Sequence, residues 1–294
     1  MPALYTHYTC GLLNYRAMKK GYLKECIRAA EHAYSIGLAG PDIFFYSIPD
    51  RATMKESPGS LLHVEKTGEF LQHLFQEISL FKGHAKTIAT AYFAGFVGHY
   101  ELDCACHPIV YEHQDEEHGF KAMGQHFRYE AAMDAYCCET YLNRDMNEMN
   151  AAVLTDLTLQ EKRVIARMVE RAYRHTFPEK KVSNFNMETV LSCYKLVTML
   201  ILDPAGWKEK LMLPVEKMIF KCPFASPLFI NRNRYDVTEE DWKAFQVCFE
   251  QGRGELKKVT PHLERALLNP LVTEAFFDVL GNKSYHTGKP LEES

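Results

Sequence analysis

Apolar residues recur three and four positions apart along nearly the whole chain. This spacing suits one face of a helix and does not suit a strand, so it restricts the fold more than any other feature. SLLHVEKTGEFLQHLFQEISLF (60–81) and TLQEKRVIARMVERAYRHTF (158–177) show it clearly, and the second opens on Thr158 and Glu161, the residue types of a capping box. No Asn-Gly or Asp-Gly dipeptide occurs, and no stretch sustains the period-two alternation of a half-buried strand. The expectation is an all-α, multi-helix globular domain over residues 1–294. Breaks are expected at Gly40-Pro41, at the polar run 50–60, at the acidic stretch 112–119 and at the Pro- and Asn-rich stretch 223–236. METVLSCYKLVTMLIL (187–202) is apolar on nearly every face and is expected to form a central buried helix.

With 34 basic and 38 acidic side chains the net charge is −4, so neither a stable nucleic-acid complex nor a general attraction to anionic lipid is expected. A phosphate-bearing ligand would need local positive charge, which metal ions can supply. The nine cysteines lack the spacing of a disulfide scaffold and read as free thiols. The N-terminal residues show no basic stretch ahead of an apolar one, and nowhere do eighteen apolar residues run together. The expectation is a soluble, cytoplasmic chain with no transmembrane segment.

Ten of the thirteen histidines fall within the first 126 residues, so chemistry is sought there. The sharpest pattern is His99-x3-Asp103-x3-His107, inside a helical segment expected to start near Lys86. Positions i, i+4 and i+8 span only about 80° of a helix surface, so these three side chains share one stripe. His126, Glu130 and Asp134 repeat the four-residue step. Each residue alone is commonly a surface or hydrogen-bonded core group. Together, beside apolar neighbours such as Phe93, Phe96, Val97, Met123 and Met133, they point inward, and burying so many ionisable groups without a metal is costly. Imidazoles with carboxylates suit zinc and also admit manganese or iron. The Cys-x-Cys and Cys-Cys spacings match no usual structural zinc module, so Cys104, Cys106, Cys137 and Cys138 read as small core residues, with Cys106 a neighbour of the site.

The order THY, IGLAGPDIFFY, LLH, AGFVGHYELDCACHP and HFRYEAAMD resembles the zinc-dependent phospholipase C-like family, related to the bacterial phospholipases C and the single-strand-specific zinc nucleases. The likeness covers residues 1 to about 135; residues 146–294 supply further helices without such a motif. It implies that Asp42, His63, His99 and Asp103 hold one metal, and that His107, His126 and Glu130 hold a second. A third would be held by His7, by Asp103 as a bridge and by the first residue. The cofactor implied is two or three zinc ions. The activity implied is hydrolysis of a phosphodiester, such as a phospholipid headgroup, by metal-activated water, with Asp42 as catalytic carboxylate. Asp42 can otherwise be a plain helix N-cap, His63 one polar residue of an amphipathic helix and His7 an exposed residue. Asp134 is expected to hydrogen-bond a ligand histidine, and His113 and His118 to be solvated. The competing readings are a nuclease or organophosphate hydrolase on the same metals, and a non-catalytic metal-binding helical protein. An HD-type phosphohydrolase needs an adjacent His-Asp pair, which does not occur.

Overall fold

A long uncharged stretch organises the molecule. Between Lys86 and Glu101 there is no charged side chain other than the titratable His99, and the computed structural model places this stretch in a helix buried on nearly all sides. It describes residues 4–46, 58–114, 119–179, 186–223, 225–231 and 237–291. Among these are thirteen α-helices. They are α1 (Leu4–Ala17), α2 (Tyr22–Ala29), α3 (Glu31–Gly37), α4 (Pro58–Val64), α5 (Thr67–Glu77), α6 (His84–Glu112) and α7 (Phe120–Cys137). After these come α8 (Ala151–Leu154), α9 (Leu159–Thr176), α10 (Met187–Ile201), α11 (Trp207–Ile219), α12 (Glu239–Leu268) and α13 (Thr273–Leu280). No strand occurs among the described residues beyond two isolated bridges, so the fold is all-α as expected.

α3 and α12 pack on the central α6, with α1, α2 and α9 beside them. Small residues set the closest approach. A Cβ on Gly37 would lie 2.2 Å from the Tyr92 carbonyl oxygen, and one on Gly95 would lie 2.2 Å from that of Tyr34. The two glycines therefore let α3 and α6 meet backbone to backbone, which is why IGLAG and AGFVG occur where they do. One hydrophobic cluster extends from Cys10 to Tyr285.

The capping box at Thr158 and Glu161 is present, and Thr238 with Asp241 forms a second one. The helix over 60–81 is not continuous: it breaks between Val64 and Thr67, where Lys66 takes φ +50° without a glycine or proline to announce it. The long helix begins at His84, two residues before Lys86. α10 is not the central buried helix that its composition suggests. Leu196, Met199 and Leu200 are exposed on it, because periodicity reports an apolar face but not what covers it. Most of the expected break at 50–60 lies outside the described residues, whereas the described part of 223–236 holds no α-helix, only the 3-10 turn Ser226–Leu228 and an isolated bridge at Ile230.

Candidate metal centre

Five elements converge on one buried spot. α1 supplies His7, the 3-10 segment Gly40–Tyr46 supplies Asp42, and α4 supplies His63. α6 supplies His99, Asp103 and His107, and α7 supplies His126 and Glu130. All eight sequence-predicted site residues come together here, in three groups whose nitrogen and oxygen atoms lie within 4.8 Å of one another: His7/His99/Asp103, Asp42/His63/His99 and His107/His126/Glu130. The third group is the set expected for the second metal. The first two share His99, and Asp103 groups with His7 rather than with Asp42 and His63.

The local backbone accounts for the convergence. Gly40 has φ +51°, a conformation that disfavours side chains, and a Cβ there would lie 2.2 Å from His99 Cδ2. Only glycine lets the Asp42 segment lie against the His99 ring. His99 also stacks on His7, with centroids 4.2 Å apart.

The hydrogen bonds fix the tautomers. A carbonyl oxygen can only accept, so His99 Nδ1–H donates to Leu38 O (3.1 Å) and His63 Nδ1–H donates to Gly59 O (2.6 Å). His107 Nδ1–H donates to Tyr285 O at 3.2 Å and lies 2.9 Å from Asp103 Oδ2. The Nε2 atoms point the other way, at carboxylates: His63 at Asp42 Oδ1 (3.1 Å), His99 at Asp103 Oδ2 (3.7 Å), His107 at Glu130 Oε1 (3.6 Å). His126 Nε2 is 3.2 Å from the same Glu130 oxygen, while its Nδ1 meets Gln114 Nε2 at 2.8 Å. A ring already protonated at Nδ1 meets a carboxylate through Nε2 only as the imidazolium or with a metal cation between the two. Among the described residues His99 Nε2 and His7 Nδ1, both buried, find no hydrogen-bond partner. These orphaned donors and the mixed imidazole–carboxylate set fit divalent zinc.

Electrostatics follows the same grouping. Burial pushes the carboxyls of Asp42, Asp103 and Glu130 up, but the histidines facing them outweigh it. Asp42 is held at about 2 by the His63 hydrogen bond and the nearby His99. Asp103 is held well below the usual range by His107 and His99, and Glu130 likewise with His126 and His107 beside it. Burial, with His7 alongside, lowers His99 to about 4. Burial opposes charge on His107 as well, yet Asp103 and Glu130 carry it up to about 10. The deprotonated carboxylates are ready ligands.

One alternative, the N-cap role of Asp42, and two expectations, for Asp134 and His113, are overturned. Asp42 lies within the 3-10 segment, and its carboxylate faces His63 rather than capping a helix. Asp134 does not bond a ligand histidine: its Oδ1 accepts the Thr6 backbone N–H at 2.7 Å, docking α1 beside His7. Burial pushes that carboxyl up to about 7, against the opposing Thr6 bonds. His113 is not solvated, since it stacks on Tyr129 and pairs with Asp241 at 3.0 Å. His118 lies outside the described residues, as does the first residue. Burial holds the thiols of Cys104, Cys106 and Cys137 well above their ordinary range, so they pack as small apolar side chains.

Sequence reasoning missed the segment after α13. Lys283 pairs with buried Glu101 at 2.8 Å, its N–H reaches Tyr100 Oη, and the Tyr285 carbonyl accepts from His107. Gly288 presses on the Cys104 carbonyl, the one that Pro108 deprives of its helical N–H. His286 then stands 2.6 Å from Tyr111 Oη. Burial, with His107 and His63 nearby, lowers His286 to about 4, so its neutral ring accepts the tyrosine O–H. The only available signal was a histidine beyond residue 126, where histidines are scarce.

Residues 6–186 match the family described as zinc-dependent phospholipase C. The chain belongs to that family. A search of curated proteins finds no significant match, and a search of solved structures finds none either. All eight site residues fall inside the stretch that matches the zinc-dependent phospholipase C family, whereas Tyr285 and His286 fall outside it. No described helix is long and apolar enough to cross a membrane.

Proposed function

We propose that this chain hydrolyses phosphodiesters at a cluster of two or three zinc ions, with a phospholipid headgroup as the substrate class. The observation that carries the reading is the shared posture of His63, His99 and His107. Each donates Nδ1–H to a backbone carbonyl and aims Nε2 at a carboxylate, which is how metal-ligating histidines are held. His107, His126 and Glu130 would hold one ion. Asp42, His63 and His99 would hold another, with Asp103 between them and His7 completing the third group. Bound zinc would neutralise the diester and make water a nucleophile near neutral pH.

The chain's own residues supply orientation and proton handling. Asp42 is half-buried and faces the cluster, so its carboxylate can orient the attacking water and take up its proton as oxygen attacks phosphorus. The ester P–O bond breaks and the leaving alkoxide takes up a proton from solvent. Tyr111 and His286, at the edge of the His107 group, offer polar contacts to a phosphate oxygen.

The test is metal content by mass spectrometry, combined with hydrolysis of phosphocholine diesters and of dinucleotides. Two or three zinc ions per chain and turnover of phosphocholine diesters are expected. Turnover of dinucleotides alone would make the protein a nuclease, metal without any turnover would favour a binding protein, and protein that neither carries nor rebinds metal would overturn the reading.

A further inference from the structure

Residues 189–223 invert the usual arrangement of a surface helix pair. All three acids of this stretch are buried, Asp203 at 1%, Glu209 at 9% and Glu216 at 2% exposure. None of its five lysines is buried. Of the nineteen large exposed hydrophobic side chains among the described residues, ten fall between Leu196 and Phe220. Glu216 turns inward to accept the N–H groups of Ala225 and Ser226, Glu209 accepts from Asn231, and Asp203 caps the start of α11 through the N–H groups of Trp207 and Glu209.

The spacing along α11 sorts the outward residues into two lanes. Trp207, Leu211, Val215 and Met218 follow steps of four, four and three and form one apolar stripe, with Met218 76% exposed. Lys210 and Lys217, both exposed and seven residues apart, flank the stripe, and exposed Lys221 follows just past the end of the helix. Lys208 binds the carbonyls of Leu200 and Leu202, which joins α11 to the exposed end of α10.

We propose that this face docks on an anionic lipid surface. An apolar stripe carrying tryptophan and methionine, bordered by lysines and stripped of outward acids, is complementary to acyl chains beneath negative headgroups. At 13 residues α11 is about 20 Å long, too short to span a bilayer, so it lies in the interface. The net charge of −4 predicts no such attraction; its sign averages over the whole chain and conceals the local segregation. The face lies beyond residues 6–186 and owes nothing to the family match. Phe220 packs on Phe120, the first residue of the helix that carries His126 and Glu130, with ring centroids 4.7 Å apart. The lipid docking stands alone; its value in bringing headgroups to the metal centre rests on the phosphodiesterase reading.

Trp207 reports the docking directly, since the chain's other tryptophan, Trp242, is buried. Full-length protein is mixed with phosphatidylcholine vesicles containing about 30% phosphatidylserine and with phosphatidylcholine vesicles alone, and read by emission shift and co-sedimentation. A blue shift with the anionic vesicles is expected, weakening at least about tenfold on phosphatidylcholine alone or at high salt. Lys210→Glu/Lys217→Glu and Leu211→Gln/Met218→Gln should each lose at least about tenfold in binding, with unchanged circular dichroism and unchanged turnover of a soluble monomeric diester. Absence of binding to any vesicle, equal binding to neutral vesicles, or a stable dimer dissociated by the same variants would overturn the proposal. Vesicle binding without turnover of the soluble diester would count against the enzymatic reading alone.

Discussion

Two of the groups of buried carboxylates in this molecule differ in what they face. Around α6 and α7, Asp103 and Glu130 face imidazole nitrogens at 2.9–3.7 Å. Around α11, Asp203, Glu209 and Glu216 face N–H groups at 2.7–3.1 Å. An N–H group satisfies a carboxylate and closes its chemistry, because donor and acceptor are matched. An imidazole whose Nδ1–H is already engaged by a carbonyl leaves the carboxylate needing a proton or a metal ion at Nε2. Burial alone would have scored the two regions alike; the partner separates scaffold from site.

Removing metal should break the comparison most strongly. If each ion is present at about a thousand times its Kd, it adds about 4 kcal/mol to the folded state. Two ions at about 2–4 °C per kcal/mol imply a loss of roughly 15–30 °C in melting temperature on chelation, restored by zinc and measurable by calorimetry. A melting temperature indifferent to chelator would place the site carboxylates in the same class as those of α11.

The same chemical change, carboxylate to amide, should then separate the regions. Asp42→Asn should lower turnover roughly a hundredfold or more, the scale of a lost positioned base, with secondary structure intact. Wild-type kcat and metal content in that variant would remove Asp42 from the chemistry. Glu216→Gln keeps one acceptor oxygen for two N–H groups, so it should cost about 1–2 kcal/mol of stability. Metal content and soluble-diester turnover should not change, and depleted zinc in Glu216→Gln would show that the two regions are coupled.

Asp241 is the intermediate case, because its carboxylate accepts both from His113 and from the N–H and hydroxyl of the Thr238 cap. The His113 bond first, then Thr238, holds its carboxyl at about 2, below its ordinary 3.8. Its contribution to stability is therefore complete above about pH 4 and disappears as pH falls through 2. The side chain is partly exposed, so the effect should be the smallest of the four. Denaturant titrations of wild type and Asp241→Asn should converge between pH 4 and 2, and parallel curves would remove the pair from the account.

Legibility in the sequence followed the helix period. His99, Asp103 and His107, like His126 and Glu130, were readable because four-residue steps on one helix put them on one stripe. His7, Asp42 and His63 sit on three separate elements, so only the family's residue order linked them. Asp134 was given the wrong partner because its i+4 relation to Glu130 says nothing about α1 crossing above it. Tyr285 and His286 carried no periodicity, lying outside any helix. The inverted face of α10 and α11 was hidden for a different reason: a hydrophobic run has the same letters whether protein, lipid or water lies against it.

The carbonyl that steadies His107 belongs to Tyr285, 178 residues further along the chain. A ribosome adding about 5–20 residues per second needs roughly 10–40 s to cover that distance. Once Glu130 has been made the nascent protein carries all eight candidate ligands, yet it still lacks the strap that orients one of them. In the metal-cluster reading, ions captured early would sit on a ring free to turn, and only the emergence of residues 281–291 would set its direction.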